Sequence, residues 1–209
     1  LKGVPGAVSS APIIERQAFY SMIAGEHKQA ANLYERLLKT GQITTDINQA
    51  KIHFCYGFTL FKLNELTRAR SEFDQSLAKL DKLKPSSPAP DGYLDFHPAR
   101  LQMNIYGYLS QMGSPAERAA ALEKRIALIG ANRKLLDDAR SAQIQNLLRL
   151  AELTAKFEPQ QAVAKLNEAL AGAAEYGTSE GFVTHVVFRT LVNYLSFGIL
   201  NPHVASTKS

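Results

Sequence analysis

The chain is 209 residues long with 45% hydrophobic and 21% charged side chains, the composition of one compact domain or an integral stretch of a larger one, which excludes wholesale disorder. A chain of this length folds without disulfides or a structural metal, and its single cysteine, Cys55, excludes an internal disulfide and a cysteine-based zinc site. The net charge of +5 and the pI near 9.3 raise nucleic acid and anionic membranes as partners, but basic and acidic residues interleave, 12 against 8 in residues 1–84 and 12 against 11 beyond, which reads as a mixed solvated surface.

Residues 1–10 are expected to be flexible; the start, Leu1-Lys2-Gly3-Val4-Pro5-Gly6, has no initiator Met and no apolar core of signal length, and reads as a truncated or processed end. From there apolar residues recur at helical spacing, and strand-like alternation is essentially absent. A first helix pair is predicted at about 13–24 and 28–39, broken at Gly25-Glu26 and closed by Gly41. A second pair follows at about 46–63 and 66–83. The Pro-rich run from Lys84 to His97, with Pro85, Pro88 and Pro90, reads as an inserted loop.

The third pair is predicted at about 98–112 and 115–129, with Gly130 closing it. Ser114-Pro115-Ala116-Glu117 carries an N-cap Ser, a Pro at the first helical position and a Glu three residues after the cap, the capping-box arrangement. A long helix at about 133–156 stops before Pro159, a partner runs from about 160 to 175 and ends at Gly177, and a last helix covers about 181–199 before Pro202. Residues 201–209 are expected to be a flexible tail.

The pairs repeat. Aligning Gly25 with Asn64 puts Ala30 over Ala69 and Tyr34 over Phe73, so each second helix has an Ala followed four residues later by an aromatic. Twelve residues upstream of each Ala stand Ala18 and Gly57. Small residues there let the two helices approach closely, and the aromatic fills the gap to the next pair. This pattern resembles the tetratricopeptide repeat. Residues 50–83 match best, through Gly57, Leu60, Ala69 and Phe73, and residues 11–44 match through Ala18, Gly25, Ala30 and Tyr34. The third unit keeps Gly107 and Ala119 but has Glu123 where the aromatic belongs, and the fourth keeps Ala162, Leu166 and Ala169. The corresponding alanines are 39, 50 and 43 residues apart, against a family period of about 34.

The resemblance implies an all-α fold: a right-handed superhelix of about four antiparallel helix pairs over residues 11–200, plus a C-terminal capping helix. It also implies a non-enzymatic protein-interaction module, an adaptor, scaffold or assembly subunit, binding a partner helix or peptide on the concave surface lined by the first helices. The family's concave positions fall on Glu15, Phe19 and Met22, on Phe54, Phe58, Phe61 and Lys62, and on Asn104, Tyr108 and Gln111. Phe19, Phe58 and Tyr108 occupy equivalent positions and are expected to form an aromatic ladder, which suits an amphipathic helix or extended apolar segment. A stripe of aromatics at helical spacing fits a packed core equally well.

The 181–199 helix has little polar face, so it must be buried as a cap, within the groove, or against another chain. His185, Arg189 and Asn193 make it a poor bilayer span. The five histidines offer no i, i+4 pair, no phosphate cradle or nucleophile elbow is present, and Asp91, Asp95 and His97 read as a solvated loop. Cys55, flanked by Phe54 and Tyr56, reads as a small core residue. No cofactor or metal is implied, and the cytoplasm is the favoured compartment. Two alternatives remain: a nucleic-acid-binding ridge of Arg68, Arg70, Lys79, Lys82 and Lys84, and a ligand-sensing helical domain of a regulator.

Overall fold

The computed structural model describes residues 10–83, 97–135, 139–155 and 157–176, together with His185, Val186, Arg189 and Val192. The described residues form eight α-helices and one 3-10 turn, with no strand. The helices are α1 (Ala11–Ile23), α2 (His27–Lys39), α3 (Asp46–Lys62), α4 (Leu66–Leu80), α5 (Pro98–Leu109), α6 (Pro115–Ala131), α7 (Ala139–Thr154) and α8 (Pro159–Tyr176). They divide into two compact units, Leu1–Tyr108 and Leu109–Ser209. No described helix is long and apolar enough to cross a membrane.

In the first unit α1 packs on α2, α3 on α4, and α2 on α3. The α3–α4 pair is antiparallel, because its cross-links rise along one helix as they fall along the other. Ser76 Oγ donates to the Ala50 carbonyl at 2.7 Å, His53 Nδ1 lies 2.7 Å from Glu72 Oε2, and Arg68 Nη2 donates to the Tyr56 hydroxyl at 2.6 Å.

The turns repeat as the helices do. Gly25 (φ 81°) and Asn64 (φ 61°) both take the left-handed conformation. After each, a glutamate N–H reaches back to the previous helix, Glu26 to the Ser21 carbonyl and Glu65 to the Leu60 carbonyl, each at 2.9 Å. These bonds, with Gly25 N–H to Met22 and Asn64 N–H to Phe61, satisfy carbonyls that a helix end otherwise leaves without partners.

Close approach defines each pair. Ala18 and Ala30 are fully buried, as are Ala69 and Phe73. A Cβ added to Gly57 would lie 2.9 Å from Phe73 Cδ1 and Cε1 and 3.2 Å from the Ala69 carbonyl oxygen. The Phe73 ring therefore occupies the space that the missing side chain leaves. Successive pairs are tied by Lys51 Nζ to Glu15 Oε1 at 2.7 Å and by Tyr34 against Tyr56, ring centroids 6.3 Å apart.

The second unit packs α6 on α7 and α7 on α8. Ile144, Leu148 and Ala151 of α7 meet Ala162, Leu166 and Ala169 of α8 in one core, so the fourth unit's signature residues are all buried. Val186, also fully buried, joins that core, and Arg189 donates to both Glu152 carboxylate oxygens at 2.7 and 2.9 Å. At these residues the C-terminal stretch is helical and packs against α7 and α8; the rest of the expected 181–199 helix lies outside the described residues. At the start of α6 the capping box forms, with Ser114 N–H donating to Glu117 Oε2 at 2.8 Å and Glu117 N–H to Ser114 Oγ at 3.3 Å.

Three boundaries differ from expectation. Gly130 does not close α6, which runs to Ala131; Asn132 is the cap, its Nδ2 donating to the Leu128 carbonyl at 2.9 Å. The helix expected from 133 is a 3-10 turn, Arg133–Leu135, with α7 starting at Ala139. The two helices of the expected third pair, α5 and α6, belong largely to different units. The Pro-rich residues 84–96, the first nine residues and the 201–209 tail lie outside the described residues.

Substitutions at three positions have expected effects on the unfolding free energy measured in denaturant. Gly57→Ala forces the buried Phe73 ring to move and lowers stability by about 1–3 kcal/mol. Gly130→Ala, whose added Cβ meets nothing within 4 Å, raises it by about 0.5–1 kcal/mol. Asn64→Gly relieves a left-handed non-glycine residue and stabilises by about 0.5 kcal/mol, whereas Asn64→Val destabilises by at least about 1 kcal/mol.

Candidate binding surface

The aromatic side chains of the first unit converge on Tyr108 near the end of α5. Its ring stacks on Phe73 (centroids 5.5 Å, interplanar 8°) and meets Phe58 edge-on at 5.5 Å, Phe61 at 5.3 Å and Phe54 at 6.2 Å. Centroid separations of about 4.5–7 Å with tilted or offset rings are the favourable range for aromatic pairs. Phe73 is wholly buried and anchors the cluster from below, while Phe54, Phe58, Phe61 and Tyr108 are half-buried. Lys62, exposed, places Nζ 5.5 Å from the Phe58 ring centroid, and the His27 ring lies 6.4 Å from Phe58, nearly perpendicular to it.

The expected site residues therefore do not behave as one set. Phe54, Phe58, Phe61, Lys62 and Tyr108 come together. Phe19 does not continue a ladder to Phe58, because its ring lies against Tyr20, centroids 6.1 Å apart. Met22 is half-buried and turned toward the Tyr34 hydroxyl, which lies 3.9 Å from its sulfur. Glu15 is held by Lys51. Asn104 is exposed on α5, and Gln111, also exposed, lies in the second unit. His27 was not among the sequence candidates; its place just after the Gly25-Glu26 turn, on the helix facing α3, was the signal that could have found it.

The basic ridge is largely compensated. Arg68 pairs with Glu65 and approaches Glu35 at 4.0 Å, and Lys79 lies 3.7 Å from Asp46. Paired cations on a mixed surface are poorly suited to releasing counterions from a phosphate backbone. Among the described residues no group of three His, Cys, Asp or Glu is placed to hold a metal ion.

Cys55 lies on the buried side of α3, and burial pushes its thiol up to about 12. Burial likewise drives the Tyr34 hydroxyl far above its ordinary range, with Cys55 beside it the next largest cause. An acid raised in this way stays neutral from low pH up to its folded-state pKa, so no thiolate nucleophile exists at physiological pH. Iodoacetamide at pH 8 is therefore expected to label Cys55 in the native chain at least about 100-fold more slowly than in the denatured chain; rapid native labelling would contradict the burial described.

No family model matches the chain, and no curated protein matches it. Solved structures do. A Podosopora anserina protein of nearly identical TPR-like repeats, described as a kinesin light chain, superposes with a TM-score of 0.65 at 15% identity, covering 91% of this chain and 90% of that one. Its Q17M form gives 0.63 at 16% identity, covering 88% and 85%. BtubC (BKLC) from P. vanneervenii gives 0.56 at 18% identity, covering 81% of this chain and 65% of that one. At such identities the likeness is one of fold, and it agrees with the helix pairs, the left-handed turns and the buried small residues: the chain has a TPR-like helical-repeat fold.

Proposed function

We propose that the chain is a non-enzymatic protein-interaction module whose first unit receives a partner's amphipathic helix or extended apolar segment against Phe54, Phe58, Phe61 and Tyr108. The observation that carries this reading is the half-buried state of these four rings above a fully buried Phe73. Packing alone would draw all the rings inside, whereas a rigid aromatic platform with one face open offers large contact area at little loss of side-chain freedom. Lys62, poised over Phe58, adds a cation at the rim that favours a partner carrying acidic residues beside its apolar ones. The compensated charges of Arg68 and Lys79 weigh against nucleic acid as the partner.

A photo-crosslinking amino acid placed at position 62 in the full chain is expected to form adducts with a discrete protein partner, while the same group at position 75, exposed on α4, gives none. Phe58→Asp and Lys62→Glu, each confirmed folded by circular dichroism, are expected to weaken that partner by about tenfold or more and about threefold respectively. Undiminished binding by both folded variants would remove this face from the account.

A further inference from the structure

The first helices of the first two pairs, α1 and α3, correspond at a spacing of 39 residues, as Ala18 does to Gly57 and Gly25 to Asn64. Their burial coincides over most of the surface. Ile14, Ala18 and Ser21 are buried, and so are His53, Gly57 and Leu60; Glu15, Phe19 and Met22 are half-buried, and so are Phe54, Phe58 and Phe61. The two helices part along one stripe. Ile52, Cys55, Tyr56 and Thr59 are buried on α3, whereas Ile13, Arg16, Gln17 and Tyr20 are exposed on α1. Ile13 is 52% exposed against 1% for Ile52, and Tyr20 is 54% exposed against 0% for Thr59. Residues at i, i+3, i+4 and i+7 share one face of a helix, and exposed Ile23 extends that face by a turn. On α3 the stripe is covered by α2, whose Tyr34 ring lies 6.3 Å from Tyr56 and whose hydroxyl stands beside Cys55. On α1 the same stripe is open to solvent.

We infer that the exposed stripe of α1 docks an amphipathic helix of a partner protein, seated on α1 as α2 is seated on α3. The α2–α3 interface is the template, because it covers the equivalent residues of an equivalent helix. The chain itself has no such helix to lend. Its α2 is already buried through Ala30, Ala31, Leu33, Tyr34 and Leu37, in a second copy as in the first, and the nine residues ahead of Ser10 are fewer than the 13 of α2. The stripe also states what the partner helix carries. Where Tyr34 meets Cys55 and Tyr56 on α3, α1 presents Arg16 and Gln17, side chains with N–H groups to donate. A group seated over them must accept hydrogen bonds, so the partner has Glu or Asp in the place of Tyr34, with Leu or Ile a turn to either side to cover Ile13 and Tyr20. This face is separate from the rings around Tyr108, and the inference does not rest on the function proposed for them.

The probe is a fluorescein-labelled peptide with the sequence of residues 26–39 and Glu in the place of Tyr34. A helix this short is marginal in water, so a lactam joins the residues corresponding to Glu35 and Lys39, which already pair at 2.7 Å. Titrated with the full chain at low salt, it is expected to bind by fluorescence anisotropy, with amide chemical-shift changes centred on Ile13, Gln17 and Tyr20. Combined Ile13→Glu and Tyr20→Glu substitutions, both at exposed positions, are expected to keep the helicity and weaken binding about tenfold or more. Arg16→Glu is expected to weaken this peptide and to strengthen the version with Lys in the place of Tyr34, a reversal that a merely structural role would not produce. The inference is overturned if the wild-type chain does not bind the peptide at millimolar concentration, if the folded variants bind it unchanged, or if the shifts map to Cys55 and Tyr56 or to Phe58 and Tyr108. It is overturned equally if sedimentation shows the chain dimerising through this stripe, with the dimer lost in the Ile13→Glu, Tyr20→Glu variant, since the occupant is then a second copy.

Discussion

The structure of the first unit rests on one close approach, between the bare backbone of Gly57 and the ring of Phe73. Without a Cβ, α3 and α4 come near enough for Phe73 to lie in the space beside Gly57. Once fixed there, the ring presents its other face to Tyr108, which stacks almost parallel to it. Burying a phenylalanine side chain fully contributes about 1.5–3 kcal/mol, but the positional effect matters as much: Phe73 sets where α5 ends up, and Tyr108 then gathers Phe54, Phe58 and Phe61 around it. The candidate binding surface is thus the outer layer of a packing motif whose inner layer is the repeat signature.

The turns enforce the same geometry. Two helices linked by three residues can pack antiparallel only if the chain reverses sharply, and the left-handed residue at Gly25 and Asn64 does this while letting the next N–H return to the preceding helix. Glycine adopts that conformation freely and asparagine with little penalty. The 39-residue correspondence between these two positions shows that the repeat is carried in its turns as well as its core.

The second unit shows how such a repeat degenerates without losing its fold. At the aromatic position after Ala162 the array substitutes Leu166, which keeps the core of α7 and α8 closed. In α6 the equivalent eighth residue of the helix is Leu122, also fully buried, and not Glu123, which stands exposed one position later. The core then runs through Leu122 and Ile129 of α6 and Ile144, Leu147 and Leu148 of α7.

The sequence by itself determined the all-helical class, eight helix positions to within a few residues, the capping box at Ser114 and the two turns, because each depends on short-range chemistry: the 3.6-residue period, an oxygen three residues from an N–H, a backbone that tolerates positive φ. It also located the small residues that admit close packing. It misplaced the ends near Gly130 and Arg133, where neither residue's local preference controls termination and the Asn132 side chain supplies the cap. What only the tertiary structure decided is which aromatics meet. Phe19, Phe58 and Tyr108 occupy equivalent positions in the alignment, yet Phe58 and Tyr108 touch while Phe19 lies on Tyr20, because ring contacts depend on the separation of whole helices and on Phe73 being present beneath one set and not the other. The same holds for the register of α6: an alignment on Ala119 selects Glu123 for the aromatic's place, but the helix starts and the burial put Leu122 there, because the packed position is counted from where the helix begins.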